Sequence, residues 1–381
     1  MSENIWFASA LWIGLALAAS LLSIRIAMSV ALTEIIVGAI AGNVIGLALT
    51  PWVNYLAGFG AILLTFLAGT EIDPKVMRKH FWPSMGLGLM GFLVPYAGVM
   101  LFAHYGLGWI WPQAQIAGLS LSTTSVAVVY AVMIETGLNK TELGKILLAA
   151  CFINDLGTVL VLGLVFANYN IWLALFAVVT VAVLAGTAKF APWFLQKVGR
   201  RVSEPDIKFF LLILFALGGF ATMAKSEAVL PAYLVGMVLA PVFLKNHALS
   251  ERMRVMAFAM LTPFYFLKAG SLVSFHAVVS AAGLIAVFLG LKMVTKFLGI
   301  LPLTKVFKFT PREGMYTTLL MCTGLTFGSI CALFGFTNHI IDQTQYTILV
   351  TAVILSAVVP TLIAQKWFLP ELKPMEIEED A

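Results

Sequence analysis

Residues Glu142 to Asn168 read ELGKILLAACFINDLGTVLVLGLVFAN. The run is long enough to cross a bilayer as a single helix, for which about 20 apolar residues suffice. Asn154 and Asp155 stand at its midpoint. An Asp at the centre of a membrane helix costs about 2.5–3.5 kcal/mol on insertion scales, so it persists where it faces a cavity and binds something. Asp155 is therefore read as a carboxylate that carries a cation or a proton. The alternative is a buried Asp that pairs two helices together.

The surrounding chain has the same solvent preference. Of its 381 residues 61% are hydrophobic and 11% charged, and the mean hydropathy is +0.99. Soluble domains carry about 25% charged residues. Hydropathy divides the chain into about thirteen spans with short linkers, and no soluble domain is expected. The net charge of +5 is no nucleic-acid signal, because the basic residues sit in short loops between apolar runs. Cys151, Cys322 and Cys331 fall within apolar spans, which excludes a disulfide framework. The five histidines are scattered near span ends, so no metal-ligand cluster is expected.

Alternate loops hold 19 of the 23 basic residues, including Arg25, Lys75, Arg78, Lys79, Lys140, Lys145, Arg200, Arg201, Arg252 and Arg254, with Lys373 in the tail. The positive-inside rule then places the N-terminus outside and the C-terminus in the cytoplasm. Four lysines depart from the pattern: Lys225, Lys268, Lys292 and Lys296. The last two are one turn apart and share a helix face. Of the 18 acids only Glu34 and Asp155 lie within apolar spans, while Glu71, Asp73, Glu135, Glu142, Glu204 and Asp206 gather at cytoplasmic ends and the EIEED tail reads as disordered. Glu34 is expected to cap its helix or reach water.

Two spans look unlike lipid-facing helices. One contains Ser120-Leu121-Ser122-Thr123-Thr124-Ser125, the other Thr323-Gly324-Leu325-Thr326-Phe327-Gly328-Ser329. Such patches suit helices broken at mid-membrane, with carbonyls and helix ends lining a cavity. Their places in the two halves of the chain suit inverted-topology repeats. The alternative is that the hydroxyls bond back to preceding carbonyls, or ease close packing. The expected fold is all-α and polytopic, with about thirteen transmembrane helices and two crossed discontinuous ones. Thr124, Ser125 and Thr326 are expected to orient or coordinate a monovalent cation alongside Asp155. Asn154 either ligates that ion or bonds a crossing-helix backbone, the second being favoured.

The run Leu56 to Pro74 (LAGFGAILLTFLAGTEIDP), Ser122 to Gly137, Ala150 to Gly157, Thr295-Lys296-Phe297-Leu298-Gly299 and Pro311-Arg312-Glu313-Gly314 occur in this order. Together they resemble the monovalent cation/proton antiporter superfamily, particularly its bacterial sodium/proton and potassium/proton exchangers, over nearly the whole chain. The resemblance implies exchange of sodium, lithium or potassium for protons by elevator-like movement, in a homodimer in a bacterial-type inner membrane, without a cofactor. It implies core helices at about 53–167 and 254–336 and dimerisation or scaffold helices at about 5–49, 170–244 and 344–369. Asp155 is then the essential carboxylate and Lys296 its charge partner. Many electrogenic members carry two adjacent acids, whereas the first position here is Asn154. Electroneutral members often have an arginine where this chain has Lys296. Lys292 matches no family motif; it is a second candidate charge partner. Lys296 alternatively snorkels to the headgroups, and Lys268 is read as an interfacial anchor.

Three other functions compete, of which a channel is disfavoured because paired broken helices suit alternating access. Sodium-coupled uptake of an organic anion would suit the buried lysines but calls for a second sodium-site acid. A membrane-embedded enzyme would need a second catalytic group at the depth of Asp155, and the sequence shows none.

Overall fold

The computed structural model describes residues 4–26, 30–71, 78–138, 141–166, 171–198, 201–224 and 228–370, without the side chains of residues 127, 131, 134 and 135. Asp73, Lys75, Lys140, Arg200, Lys225, Lys373, the acidic tail and the Glu135 side chain lie outside the described residues.

Among the described residues the structure is helical throughout. Its first half contains α1 (Ile5–Ile26), α2 (Val30–Val44), α3 (Pro51–Thr70), α4 (Phe81–Leu101), α5 (Trp111–Ser122), α6 (Val126–Thr136), α7 (Glu142–Val165) and α8 (Ile171–Val198). The second half contains α9 (Pro205–Met223), α10 (Val229–Lys245), α11 (His247–Met256), α12 (Thr262–Ser271), α13 (Phe275–Ser280), α14 (Ala282–Val306), α15 (Pro311–Met321), α16 (Thr326–Thr337) and α17 (Gln343–Trp367). Single π-helical turns, Phe102–Gly106 and Ala257–Leu261, extend α4 and join α11 to α12. With α5/α6, α11/α12, α13/α14 and α15/α16 each taken as one segment, the chain has about thirteen, as bilayer length predicts.

Local sequence explains where the helices begin. Pro51, Pro205 and Pro311 stand at first helical positions, where the missing N–H is no loss and φ is already helical. Before α15, the Thr310 hydroxyl accepts from Glu313 N at 3.3 Å and the Glu313 carboxylate accepts from Thr310 N at 2.8 Å. Before α17, Asp342 and Gln345 form the same reciprocal cap.

The chain folds as two compact units. One comprises residues 1–18, 48–74 and 159–268. Its core joins Phe66 and Leu67 of α3, Phe210 and Leu214 of α9, and Leu239 and Phe243 of α10. Gly236 allows α10 to meet α3 backbone to backbone, since a Cβ there would strike the Phe66 carbonyl. At one end Arg252 bonds Glu204 and the buried Asp206, the latter at 2.6 Å, and Arg254 bonds Glu71. Lys268 is 9% exposed.

The other unit comprises residues 19–47, 75–158 and 269–381. Here α4 is the common neighbour. It presses on α7 at Gly88, where a Cβ would lie 2.6 Å from the Ala150 carbonyl oxygen, and on α14 near Gly299. Such small-residue contacts are how helices associate without a hydrophobic drive. Glu34 of α2 is 2% exposed, so the expectation that it reaches water gives way to burial.

A candidate ion site at two helix breaks

Both hydroxyl-rich spans are interrupted. The chain leaves helix after Ser122 and resumes it at Val126; it leaves again after Met321 and resumes at Thr326. The hydroxyls also bond back to the turns before them. Ser122 Oγ donates to Leu119 O at 3.1 Å, Thr123 Oγ1 to Ser120 O at 3.1 Å and Thr323 Oγ1 to Leu320 O at 2.7 Å. The two sequence readings are therefore not exclusive. The hydroxyls supply donors to carbonyls that a helix C-terminus leaves unpaired.

The breaks meet each other. Ser125 N donates to Thr323 O at 2.9 Å, and Thr124 Oγ1 donates to Met321 O at 2.9 Å. Asn154 joins them from α7: its Oδ1 accepts from Thr124 N at 3.0 Å and its Nδ2 donates to Ser122 O at 3.3 Å. The amide thus bonds the backbone of the first break, in line with the alternative that the sequence favoured.

Asp155, the next residue, is different. It is 1% exposed, and its Oδ1 is sealed from solvent without a hydrogen-bond partner among the described residues. Thr158 Oγ1 is one turn on but donates to Asn154 O. A buried carboxylate lacking donors is a costly arrangement, and it suits a group that trades ligands.

Lys296 and Lys292 are each fully buried on α14, so neither snorkels. Lys296 Nζ donates to Thr124 Oγ1 at 2.9 Å. It lies within electrostatic range of Asp155 but forms no ion pair with it in the structure. Lys292 Nζ donates to Ser356 Oγ of α17 at 3.0 Å.

The remaining sequence candidates occupy distinct places. The Ser125 hydroxyl accepts from Val128 N at 3.4 Å and so caps α6. Thr326 opens α16 and is partly exposed, and its hydroxyl makes no hydrogen bond among the described residues. Sequence reasoning missed Ser356, one of several hydroxyls along α17 with nothing in the sequence to set it apart. It also missed the carbonyls of Met321 and Thr323, which no side-chain pattern marks.

Among the described residues nine helices are long and apolar enough to cross a membrane, and two spans are interrupted by breaks that meet, which defines a multi-pass membrane protein. The family model described as sodium/hydrogen exchanger, transmembrane, matches residues 12–368, and the chain belongs to that family, whose activity is cation/proton antiport. It is 24% identical over 352 residues to a probable Na(+)/H(+) antiporter 3 of Methanocaldococcus jannaschii, covering 89% of each chain. It is 23% identical over 355 residues to the Na(+)/H(+)-K(+) antiporter GerN of Bacillus cereus, again covering 89% of each. The fold is similar to that of the sodium proton antiporter MjNhaP1 of M. jannaschii, with a TM-score of 0.73 at 14% identity, over 96% of this chain and 99% of that one.

Proposed function

We propose that the protein exchanges sodium, potassium or lithium for protons by elevator-type alternating access, with Asp155 as the carboxylate that both ions share. One observation carries this reading: Asp155 Oδ1 is buried and, among the described residues, without a hydrogen-bond partner, next to Asn154, which holds the first break. A proton or a monovalent cation supplies the missing partner, and binding either displaces the other. The half-helix ends contribute partial charges, and Thr124, Ser125 and Asn154 hold the backbone around the ion. Thr326, at the start of α16 and without a hydrogen bond among the described residues, is the remaining candidate ligand. Potassium stays in the reading because GerN is named for both ions.

In this reading α5/α6 and α15/α16 are the crossed, discontinuous helices of an inverted repeat. Helices at about 53–167 and 254–336 form the moving core, and those at about 5–49, 170–244 and 344–369 the scaffold of a homodimer. The N-terminus lies outside and the C-terminus in the cytoplasm, in a bacterial-type inner membrane.

The test uses proteoliposomes carrying a pH dye and challenged with sodium, lithium and potassium in turn. Asp155→Asn abolishes cation-driven proton movement, yet its melting temperature equals or exceeds that of the parent, because a buried unpartnered charge is removed. Robust exchange by this variant contradicts the mechanism. Charge balance gives a second test. A single carboxylate alternating between a proton and a monovalent cation carries the same charge in both half-cycles, so exchange is one-for-one and electroneutral, with Lys296 a fixed partner. With potassium equal on both sides, adding valinomycin to shunt any membrane potential therefore leaves the rate of sodium-driven proton movement unchanged. An Asp155-dependent acceleration when the potential is shunted overturns the stoichiometry.

A further inference from the structure

Lys292 and Lys296 are one turn apart on α14, yet each takes a separate grip on the crossing. Lys296 bonds Thr124 in the first break. Lys292 bonds Ser356 Oγ at 3.0 Å, and that hydroxyl lies 2.7 Å from Val353 O and 3.4 Å from Gly324 O in the second break. Glycine at position 324 leaves the room that Lys292 Nζ occupies in this contact. A Cβ there would fall on Lys292 Nζ, with Thr123 Oγ1 at 3.0 Å and Thr123 O at 3.2 Å.

We propose that Lys292 is a positioning residue for the exchange reaction: with Ser356 it locks the second break at Gly324 and so keeps the crossing in register with the cation site. The proposal rests on the reading of Asp155 as that site. Its path is continuous. Lys292 holds Ser356, whose hydroxyl is 2.7 Å from Val353 O and 3.4 Å from the Gly324 carbonyl. The neighbouring Thr323 carbonyl takes Ser125 N at 2.9 Å. Thr124 N, one residue back, is held by Asn154 Oδ1 at 3.0 Å, and Asn154 adjoins Asp155. A shift at Gly324 therefore reaches the backbone beside the carboxylate. A buried amino group is expensive, and a leucine would fill the same volume. The lysine contributes what a leucine lacks, a donor long enough to reach between α14, α17 and the break.

Sodium-dependent exchange in proteoliposomes, read as tracer sodium uptake, tests this. Lys292→Met is expected to raise the cation KM about fivefold or more with the maximal rate within about twofold, the signature of weakened binding. Ser356→Ala raises KM in the same direction, and the double variant is no worse than Lys292→Met alone, because both changes open one lock. n-Propylamine, supplied equally on both sides, replaces the deleted atoms of Lys292→Ala and restores KM, but not in Lys292→Ala/Ser356→Ala. A KM like the parent's in Lys292→Met, additive KM effects, or rescue that ignores Ser356 overturns the proposal. Should Lys292→Met fail to fold, Ser356→Ala, which removes one hydroxyl, decides it: a parental KM there is equally fatal. Asp155→Asn is run alongside. If it is inactive and the Lys292 variants behave as the parent, only the lock falls. If it transports, the Asp155 reading falls instead.

Discussion

The two breaks look alike in sequence and are held differently. The first is extended at Thr123 (φ −66°, ψ 153°) and is pinned by a neutral amide, Asn154, on the neighbouring helix. The second keeps a helical residue at Cys322 and turns at Leu325 (φ −149°, ψ −71°). It is bound by Thr124 and Ser125 of the first break and by the Lys292–Ser356 pair. The difference is one of support. The first break is anchored to the helix that carries Asp155, so its geometry and that of the acid are set together. The second is anchored to α14 and α17, and meets α7 through a softer contact, Cys151 Sγ donating to Met321 Sδ at 3.6 Å.

The contrast orders the effects expected of substitutions. The largest belongs to Asn154→Leu, which leaves the buried Thr124 N–H and Ser122 carbonyl without partners. A loss of about 3 kcal/mol is expected in thermal unfolding in detergent, and transport is lost with it. Thr124→Val comes next. It removes the acceptor of Lys296 and the donor to Met321, touching both breaks, for about 2 kcal/mol. Ser356→Ala affects the second break alone and is expected to cost about 1 kcal/mol. Should Ser356→Ala destabilise the protein more than Asn154→Leu, the second break is the primary support and the contrast is reversed.

The smallest effect lies at the far end of α7. His80 Nε2 is 2.6 Å from Glu142 Oε2, and Lys79 Nζ is 3.1 Å from Glu142 Oε1. Burial of the ring holds its proton affinity below the usual histidine value, outweighing the Glu142 carboxylate, and Lys79 and Lys145 add to the shift. The folded state therefore binds this proton less readily than the unfolded chain. Stability is full above the unfolded histidine value, about 6.5, and falls as pH drops through the lower folded one. His80→Gln is expected to flatten that slope in melting curves taken between about pH 5 and 7. An unchanged slope would show that the burial of His80 at this end of α7 contributes no pH dependence to stability.

Much of this was legible from residues alone. Asp155 stands out because a mid-span acid is too costly to be incidental. The breaks could be located because runs such as Ser122-Thr123-Thr124-Ser125 supply hydroxyls where an apolar helix has no use for them. Asn154 was rightly read toward the crossing backbone, since a buried amide needs partners. Other readings failed for want of depth. Glu34 was expected to reach water because sequence position gives its height along a helix, not what packs around it. Lys296 was read as pairing with Asp155 or the pore region, or else as snorkelling to the headgroups; its buried nitrogen bonds Thr124 in the first break, so the headgroup alternative is the one that fails. Sequence by itself determined the solvent, the helical class, the about thirteen segments and the residues too polar for their surroundings. Those follow from transfer free energies, which each residue carries with it. Tertiary structure alone decided the partners: Thr124 with Met321, Lys296 with Thr124, Lys292 with Ser356. A hydrogen bond needs its atoms within about 3 Å, and only the packing of helices distant in the chain brings these together.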